Sequence, residues 1–175
     1  MTVRHIDYRN WLGGALLAAA LLAGSGARAQ VNMNEPDPSV WLKSVYDLYQ
    51  RAETNTKLMR EANYRLIVKR AAKPLAALFR RNDACEKKSG GICALDWDLI
   101  VNGQDSQLTD ISVGAAAITG DKATVTATFK NMGAENRNTY FFVRENGVWK
   151  VEDVETRTGK EAPLRIARLL RDHKP

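Results

Sequence analysis

Apolar side chains near the start of the folded chain recur at helical spacing. Their positions three or four residues apart predict a first helix and are Trp41, Val45, Leu48, Tyr49 and Ala52. Asp37 is placed to cap this helix, and Pro38 fits its first position. A looser pattern predicts a second helix over residues 55–70, and a proline opens a third over residues 74–83.

From residue 107 the apolar period changes to two, which is typical of strands. Residues 107–119 predict one strand, and residues 122–131 predict a second in which apolar side chains alternate with threonines. Two further strands, 138–145 and 148–155, are joined by an Asn-Gly pair that suits a two-residue hairpin because both positions tolerate positive φ.

The chain closes with a short amphipathic helix over residues 162–172, where leucines oppose three arginines. Helices first and an antiparallel meander afterwards predict an α+β domain. We expect the N-terminal helices to cover one face of a curved four-stranded sheet. The domain spans residues 38–175, after a flexible leader over residues 30–37.

The first segment, residues 1–29, is typical of a signal peptide. A basic start precedes an apolar run, and the small residues Ala27 and Ala29 predict cleavage before Gln30. The alternative is an uncleaved membrane anchor, which the glycines and arginine late in the run disfavour. We therefore expect a periplasmic protein with no stable membrane insertion once the signal peptide is removed.

Charge excludes one class of partner. Removing residues 1–29 takes away three arginines and one aspartate, which lowers the formal net charge from +6 to +4. That excess is far below the basic footprint of a nucleic-acid-binding domain. Together with export, it argues against a nucleic-acid partner.

Cys85 and Cys93 are the only cysteines of the chain. In an oxidising compartment an even pair at short spacing predicts a disulfide. The alternatives are a redox site, which more often has a Cys-x-x-Cys motif, and a zinc site, which needs further ligands. The polar, glycine-containing loop between the two cysteines bends back easily and favours the structural disulfide.

Two motifs flank the predicted sheet. The acidic segment runs from Leu95-Asp96-Trp97-Asp98 to Asn102-Gly103-Gln104-Asp105, and Trp149, Val151 and Asp153 form a Trp-x-Val-x-Asp motif. With the helices and strands around them, these motifs resemble the cone-shaped, cystatin-like α+β fold of nuclear transport factor two and ketosteroid isomerase. More narrowly, they resemble a family of exported bacterial proteins classified as a domain of unknown function.

The acidic segment has a structural and a functional interpretation. In the first, Asp98 or Asp105 accepts backbone N–H bonds, Asn102 and Gly103 bend the chain, and Trp97 anchors it. In the second, these side chains and Gln104 contact a ligand. A calcium loop is disfavoured because apolar Ile100 and Val101 occupy its fifth and sixth positions. We predict no metal site and no cofactor.

The resemblance implies a chemistry as well as a fold. Ketosteroid isomerase-like enzymes place an Asp base beside a hydroxyl donor in an apolar cone. Asp98 could supply the base, and the available hydroxyls are those of Tyr46, Tyr49, Tyr64 and Tyr140. Histidine catalysis lacks a base, because His5 leaves with the signal peptide and His173 is the third residue from the end of the sequence, on a tail that we expect to fray. We predict no catalytic residue.

These observations favour a non-catalytic periplasmic domain that binds an envelope protein or a small ligand. A lyase or isomerase using a carboxylate and a tyrosine is the first alternative. An immunity-type inhibitor of an envelope toxin is the second, which only the reuse of this fold in toxin systems suggests. Such folds often dimerise through the open sheet face, although the threonine row of residues 124–128 is polar for a large hydrophobic interface.

Basic side chains flank the third helix and line the last one. They either keep a solvated face charged or form a docking surface for an acidic protein or anionic headgroup. The terminal helix is too short to anchor in a membrane by itself. These residues are Lys69, Arg70, Lys73, Arg80, Arg81, Lys87, Lys88, Arg165, Arg168 and Arg171.

Overall fold

The computed structural model describes residues 31–173. The predicted signal peptide and its cleavage site at Ala27, Ala29 and Gln30 lie outside the described residues. No helix within the described range is both long enough and apolar enough to cross a membrane.

Four helices come first in the described chain. They are α1 (Pro38–Ala52), α2 (Thr56–Met59), α3 (Arg65–Arg70) and α4 (Lys73–Ser89). As predicted, Asp37 caps α1, because its carboxylate accepts the N–H groups of Ser39 and Val40. α4 ends at Gly90, whose φ of 69° is left-handed and whose N–H bonds to Glu86 O.

The predicted second helix is wrong as one continuous element. Asn55 caps α2, and α3 begins only after Tyr64, whose N–H bonds to the distant Asp98 carboxylate. Asn63 adds a local bond from its side-chain oxygen to the N–H of Arg65. These side-chain acceptors compete with helical bonding and divide the segment.

Within residues 31–173, six strands form one antiparallel sheet. They are β1 (Leu108–Val113), β2 (Ala117–Thr119), β3 (Lys122–Asn131), β4 (Ala134–Glu145), β5 (Val148–Thr158) and β6 (Leu164–Arg165), followed by α5 (Ile166–Asp172). The sheet order is β1-β3-β4-β5-β6, with β2 also paired to β3. The α+β class and the short C-terminal helix are therefore confirmed.

The predicted count of four strands is replaced by six for two local reasons. The first predicted strand is interrupted over residues 114–116, where the pairing with β3 shifts by one residue between Val113–Ala127 and Ala117–Thr124, so that β1 and β2 pair separately with β3. β6 is a two-residue strand that pairs with β5 just before α5. The hairpin at Asn146 and Gly147 forms as predicted, with φ values of 50° and 79°.

The core lies between the helices and the inner face of the sheet. β3 has the predicted alternation, with Ala123, Val125, Ala127 and Phe129 buried. α1 contributes Trp41 and Tyr46, both fully buried, and Trp41 packs edge-on against Phe142 at 6.0 Å between ring centroids. Large side chains thus fill the space that the helices enclose.

The leader is tied to this core. The sequence predicts flexibility over residues 30–37, whereas its described part, residues 31–37, is held by Arg70. The guanidinium of this fully buried residue donates to Met33 O at 2.8 Å, Glu35 O at 2.5 Å and Trp149 O at 3.1 Å. It also lies 4.8 Å above the Trp41 ring. Burial lowers the pKa of Arg70 to about 10, which leaves it charged near neutral pH.

Candidate functional site

The acidic linker, defined as residues 94–105, crosses from α4 to β1 around the carboxylate of Asp98. Oδ2 of Asp98 accepts the Tyr49 hydroxyl at 2.6 Å and the Tyr64 N–H at 2.9 Å. Oδ1 accepts the N–H of Ile100 at 2.9 Å. Both carboxylate oxygens therefore bind protein donors, and together they join α1, the start of α3 and the linker.

Burial and hydrogen bonding act in opposite directions on Asp98. Desolvation raises the pKa of its carboxyl above the usual value, and the bonds from Tyr49 and the backbone oppose that rise. Desolvation also raises the pKa of the Tyr49 hydroxyl, and the neighbouring Asp98 charge adds to the effect. Tyr49 is therefore a neutral donor at physiological pH and does not supply a phenolate.

Asparagines of β4 hold the next part of the linker. Nδ2 of the fully buried Asn138 donates to Leu99 O at 3.0 Å and to Ile100 O at 2.9 Å. Nδ2 of Asn102 donates in turn to Oδ1 of Asn138 at 2.9 Å and of Asn136 at 3.2 Å. These bonds satisfy backbone groups that the linker would otherwise bury unpaired.

A pair of tyrosines completes this polar layer. The hydroxyls of Tyr46 and Tyr140 lie 3.0 Å apart, and Tyr46 also donates to Ile100 O at 3.1 Å. Both side chains are fully buried, and burial raises the pKa of each hydroxyl. Their partners are one another, Nδ2 of Asn138 and the linker, which assigns them to support of the fold.

The bend lies where the sequence predicts it. Asn102 has a φ of 54°, and the N–H of Asp98 bonds to Gly103 O at 2.9 Å. A Cβ on Gly103 would lie 3.0 Å from Nδ2 of Asn131, so the close approach favours glycine. The Asp105 side chain is exposed, and it is the carbonyl of Asp105 that accepts Asn131 Nδ2 at 2.9 Å.

An open groove runs beside the acidic linker. It has a volume of about 710 Å³. We call it the loop groove, because the disulfide loop forms one wall and the linker forms the other. Its lining residues are Tyr64, Glu86, Lys87, Gly90, Gly91, Ile92, Leu95, Asp96, Trp97, Asp98 and Gln104.

Apolar and charged groups alternate around the loop groove. Ile92 is 70% exposed, whereas Trp97 is half-buried and packs against the core. Asp96 and Gln104 are exposed on the linker side, and the Gln104 amide donates to Asp96 O at 3.2 Å. Of the predicted ligand or turn residues, Trp97, Asp98 and Gln104 therefore share this groove.

The remaining two predicted residues do not line the loop groove. Asn102 and Asp105 line a second, smaller depression of about 360 Å³ beside Asn131 and Asn136. The acidic segment thus lines two neighbouring depressions, and Gln104 contributes to both. It does not bring its carboxylates together at one point, because Asp98 turns inward whereas Asp96 and Asp105 are exposed.

The Trp-x-Val-x-Asp motif lies on β5, away from the loop groove. Trp149 and Val151 are buried in the core. Asp153 is 7% exposed and accepts the Ala167 N–H at 2.9 Å and Arg165 Nε at 2.8 Å. The motif therefore fastens β6 and the start of α5 to the sheet.

The predicted disulfide between Cys85 and Cys93 is confirmed. It joins α4 to Cys93, which directly precedes the linker, across a Cα–Cα distance of 6.2 Å. Oδ1 of Asn82 also accepts the Ala94 N–H at 2.8 Å, so a second bond holds the same junction. The disulfide indicates that the protein matures in an oxidising environment.

Sequence reasoning missed the asparagines that hold the linker. A signal was present, because Asn136 and Asn138 occupy the same face of β4 as buried Tyr140 and Phe142. Polar residues at inward positions of a strand need buried partners, and here the partners are backbone groups of the linker.

A comparison of the chain with family models, curated proteins and solved structures finds no match.

Proposed function

We propose that the protein is an exported periplasmic binding domain that takes a segment of a partner protein in the loop groove. The signal-like N-terminus and the disulfide support export. The cone fold of nuclear transport factor two, which the motifs resemble, stays part of this proposal.

The observation that carries the proposal is the composition of the groove. Trp97, Tyr64 and Ile92 place aromatic and apolar surface in one solvent-open depression, and the charged residues Lys87 and Asp96 line it as well. Aromatic residues within a polar rim are typical of the energetic centre of protein contacts. Small-molecule sites are more enclosed, and here Tyr46, Tyr140 and Phe142 fill the interior.

Capture from the native envelope tests this proposal. We expect a partner to be retained by the wild-type protein and lost from Ile92→Asp, because a charge at this position opposes burial of apolar surface. Ile118→Asp is the matched control, since Ile118 is 53% exposed but lies on β2 outside the groove. Equal capture by both variants would contradict a groove-bound partner. Intact-mass analysis of the purified protein would instead identify a retained small molecule.

One observation favours a second candidate, a lyase or isomerase. Asp98 lines the groove, its pKa is raised by burial, and a tyrosine hydroxyl lies 2.6 Å from it. Those are the elements of acid–base catalysis at a carbon next to a carbonyl. Against it, three protein donors already bind the carboxylate, and the groove is open.

Turnover of a β,γ-unsaturated ketone distinguishes the two candidates, since its conversion to the conjugated enone is followed by ultraviolet absorbance. Saturable turnover that Asp98→Asn abolishes would establish the enzyme and contradict the binding proposal. Retained turnover in Asp98→Asn would assign the activity to another group. The immunity-type alternative predicts instead that a purified envelope toxin is inhibited by wild type and not by Ile92→Asp.

A further inference from the structure

The C-terminus of α5 brings a histidine to the disulfide. Nε2 of His173 lies 4.0 Å from Sγ of Cys85. The ligand atoms of Cys85, Cys93 and His173 all lie within 4.8 Å of one another. Two sulfurs and an imidazole nitrogen thus meet at one point, outside the acidic linker and its Asp98 site.

α4 fixes His173 in this place. The guanidinium of Arg81 donates from Nη2 to the carbonyls of Leu170, Arg171 and His173, the last two at 2.9 and 3.5 Å. The N–H of His173 bonds to Leu169 O at 3.1 Å and so continues the last turn of α5. Because Arg81 and Cys85 lie one helical turn apart on α4, the bonds that hold the end of α5 also hold the imidazole beside the sulfur.

We propose that reduction of the disulfide converts Cys85, Cys93 and His173 into a site for a thiophilic closed-shell cation, Zn²⁺ or Cu⁺. Thiolate and imidazole are the ligands that these cations prefer. With Zn–S bonds of about 2.3 Å and Zn–N bonds of about 2.0 Å, tetrahedral ligand atoms lie roughly 3.5–3.8 Å apart. The observed 4.0 Å between His173 and Cys85 needs a closure of only a few tenths of an ångström.

The sulfurs must separate for the metal to bind, and the loop between them allows it. Gly90, which has a φ of 69°, and Gly91 are exposed, and an added Cβ at either would meet nothing within 4 Å. The loop therefore has room to move Cys93 away from Cys85. Two thiolates and one imidazole leave a fourth position for water, as in open zinc sites.

The chemistry balances with a dithiol as the reductant. The dithiol passes two electrons and two protons to the Cys85–Cys93 bond, which leaves two thiols and the oxidised, disulfide form of the donor. The cation then displaces both thiol protons and binds the two thiolates and the neutral imidazole. In the reverse step the two thiolates pass two electrons to a disulfide oxidant by thiol–disulfide exchange, which re-forms the Cys85–Cys93 bond and releases the metal.

Metal titration of the reduced, full-length mature protein tests the proposal. The protein is reduced with dithiothreitol, freed of reductant without oxygen, and titrated with Zn²⁺ or with Cu⁺ against a chromophoric chelator. We expect one equivalent to bind the reduced protein and none to bind the oxidised protein at the same site. His173→Ala should weaken binding by about tenfold or more through loss of one ligand.

Co²⁺ as a probe reports the ligands directly. Reduced wild type should show thiolate charge-transfer bands and the intense visible bands of a tetrahedral site, and Cys85→Ser/Cys93→Ser should show neither. Equal affinity of reduced wild type and His173→Ala would overturn the proposal. So would a reduced chain that binds no cation, or one that unfolds by circular dichroism and stays unfolded with metal. The titration uses purified protein with no partner in the loop groove, so its outcome does not depend on the proposed function.

Discussion

The Tyr49 hydroxyl donates a 2.6 Å hydrogen bond to Oδ2 of Asp98 and joins the last turns of α1 to the acidic linker. The same oxygen accepts the Tyr64 N–H, which precedes α3. One carboxylate therefore sets where two helices and the linker meet. This contact also gives Asp98 a structural role that explains its position beside the groove without any chemistry.

Loss of the Tyr49 hydroxyl should destabilise the fold. We expect Tyr49→Phe to lower the free energy of unfolding by about 2 kcal/mol at neutral pH, because a bond to a charged, half-buried group is lost. Urea unfolding followed by circular dichroism measures the change. Tyr64→Phe is the matched control, since within residues 31–173 the Tyr64 hydroxyl has no hydrogen-bond partner. A loss in the control as large as in Tyr49→Phe would contradict this assignment.

The raised pKa of Asp98 predicts a pH dependence with a definite sign. The folded chain holds the Asp98 proton more tightly than the unfolded chain, in which the pKa of this carboxyl is near the usual 3.8. The contribution of Asp98 to stability is therefore fully present below 3.8 and is lost as the pH rises through the folded value.

Comparison with Asp98→Asn isolates this contribution. We expect the unfolding free energy of wild type minus that of the variant to fall as pH rises through this window, and then to stay constant. Urea titrations at a series of pH values from about 3 to 8 measure the difference. A difference that rises with pH would mean that hydrogen bonds to the carboxylate outweigh its desolvation.

Local patterns predict β3 better than they predict the segment of α2 and α3. The strict alternation of residues 122–131 located β3 at its observed bounds, because strand period is a property of neighbouring residues. The break between α2 and α3 depends in part on Asp98, which lies 34 residues from Tyr64. No window of local sequence contains that bond, so the segment was predicted as one helix.

The same distinction applies to the site. The bend at Asn102 and Gly103 was predictable, because Asn-Gly favours positive φ within two residues. Which of Asp98 and Asp105 accepts the hydrogen bonds was not predictable, since the choice depends on Tyr49, which lies 49 residues away from Asp98 along the chain. The approach of His173 to the disulfide was also hidden, because it requires α5 to pack on α4 across 88 residues.

Asp153 should control the attachment of α5. We expect Asp153→Ala to lower the free energy of unfolding by about 2–3 kcal/mol, because the Ala167 N–H and the Arg165 guanidinium lose a buried acceptor. In Asp153→Ala, amide hydrogen exchange should accelerate, relative to wild type, more at Ala167 than at the core amides of β3. Asp172→Asn provides the control, since its pair with Arg168 has side chains 62% and 79% exposed and contributes little.

Arg70 should hold residues 31–37 against the domain. Replacement by Met keeps the apolar stem over Trp41 but removes the donors to Met33 O, Glu35 O and Trp149 O. We expect the free energy of unfolding to fall by roughly 2–4 kcal/mol, because buried acceptors lose their partners. Arg70→Lys should recover only part of this loss, since one ammonium cannot reproduce the planar fork of donors.

Limited proteolysis separates this local effect from global unfolding. Cleavage within residues 31–37 should accelerate in Arg70→Met under conditions where α4 and the sheet stay intact, because the leader loses two of the bonds that attach it. Lys69→Met changes the adjacent exposed position. It should alter the free energy of unfolding by no more than about 0.5 kcal/mol and leave the cleavage rate at the wild-type value. Equal cleavage of wild type and Arg70→Met would show that the attachment of the leader does not depend on the guanidinium, and that Arg70 acts through the Trp149 carbonyl and the Trp41 ring alone.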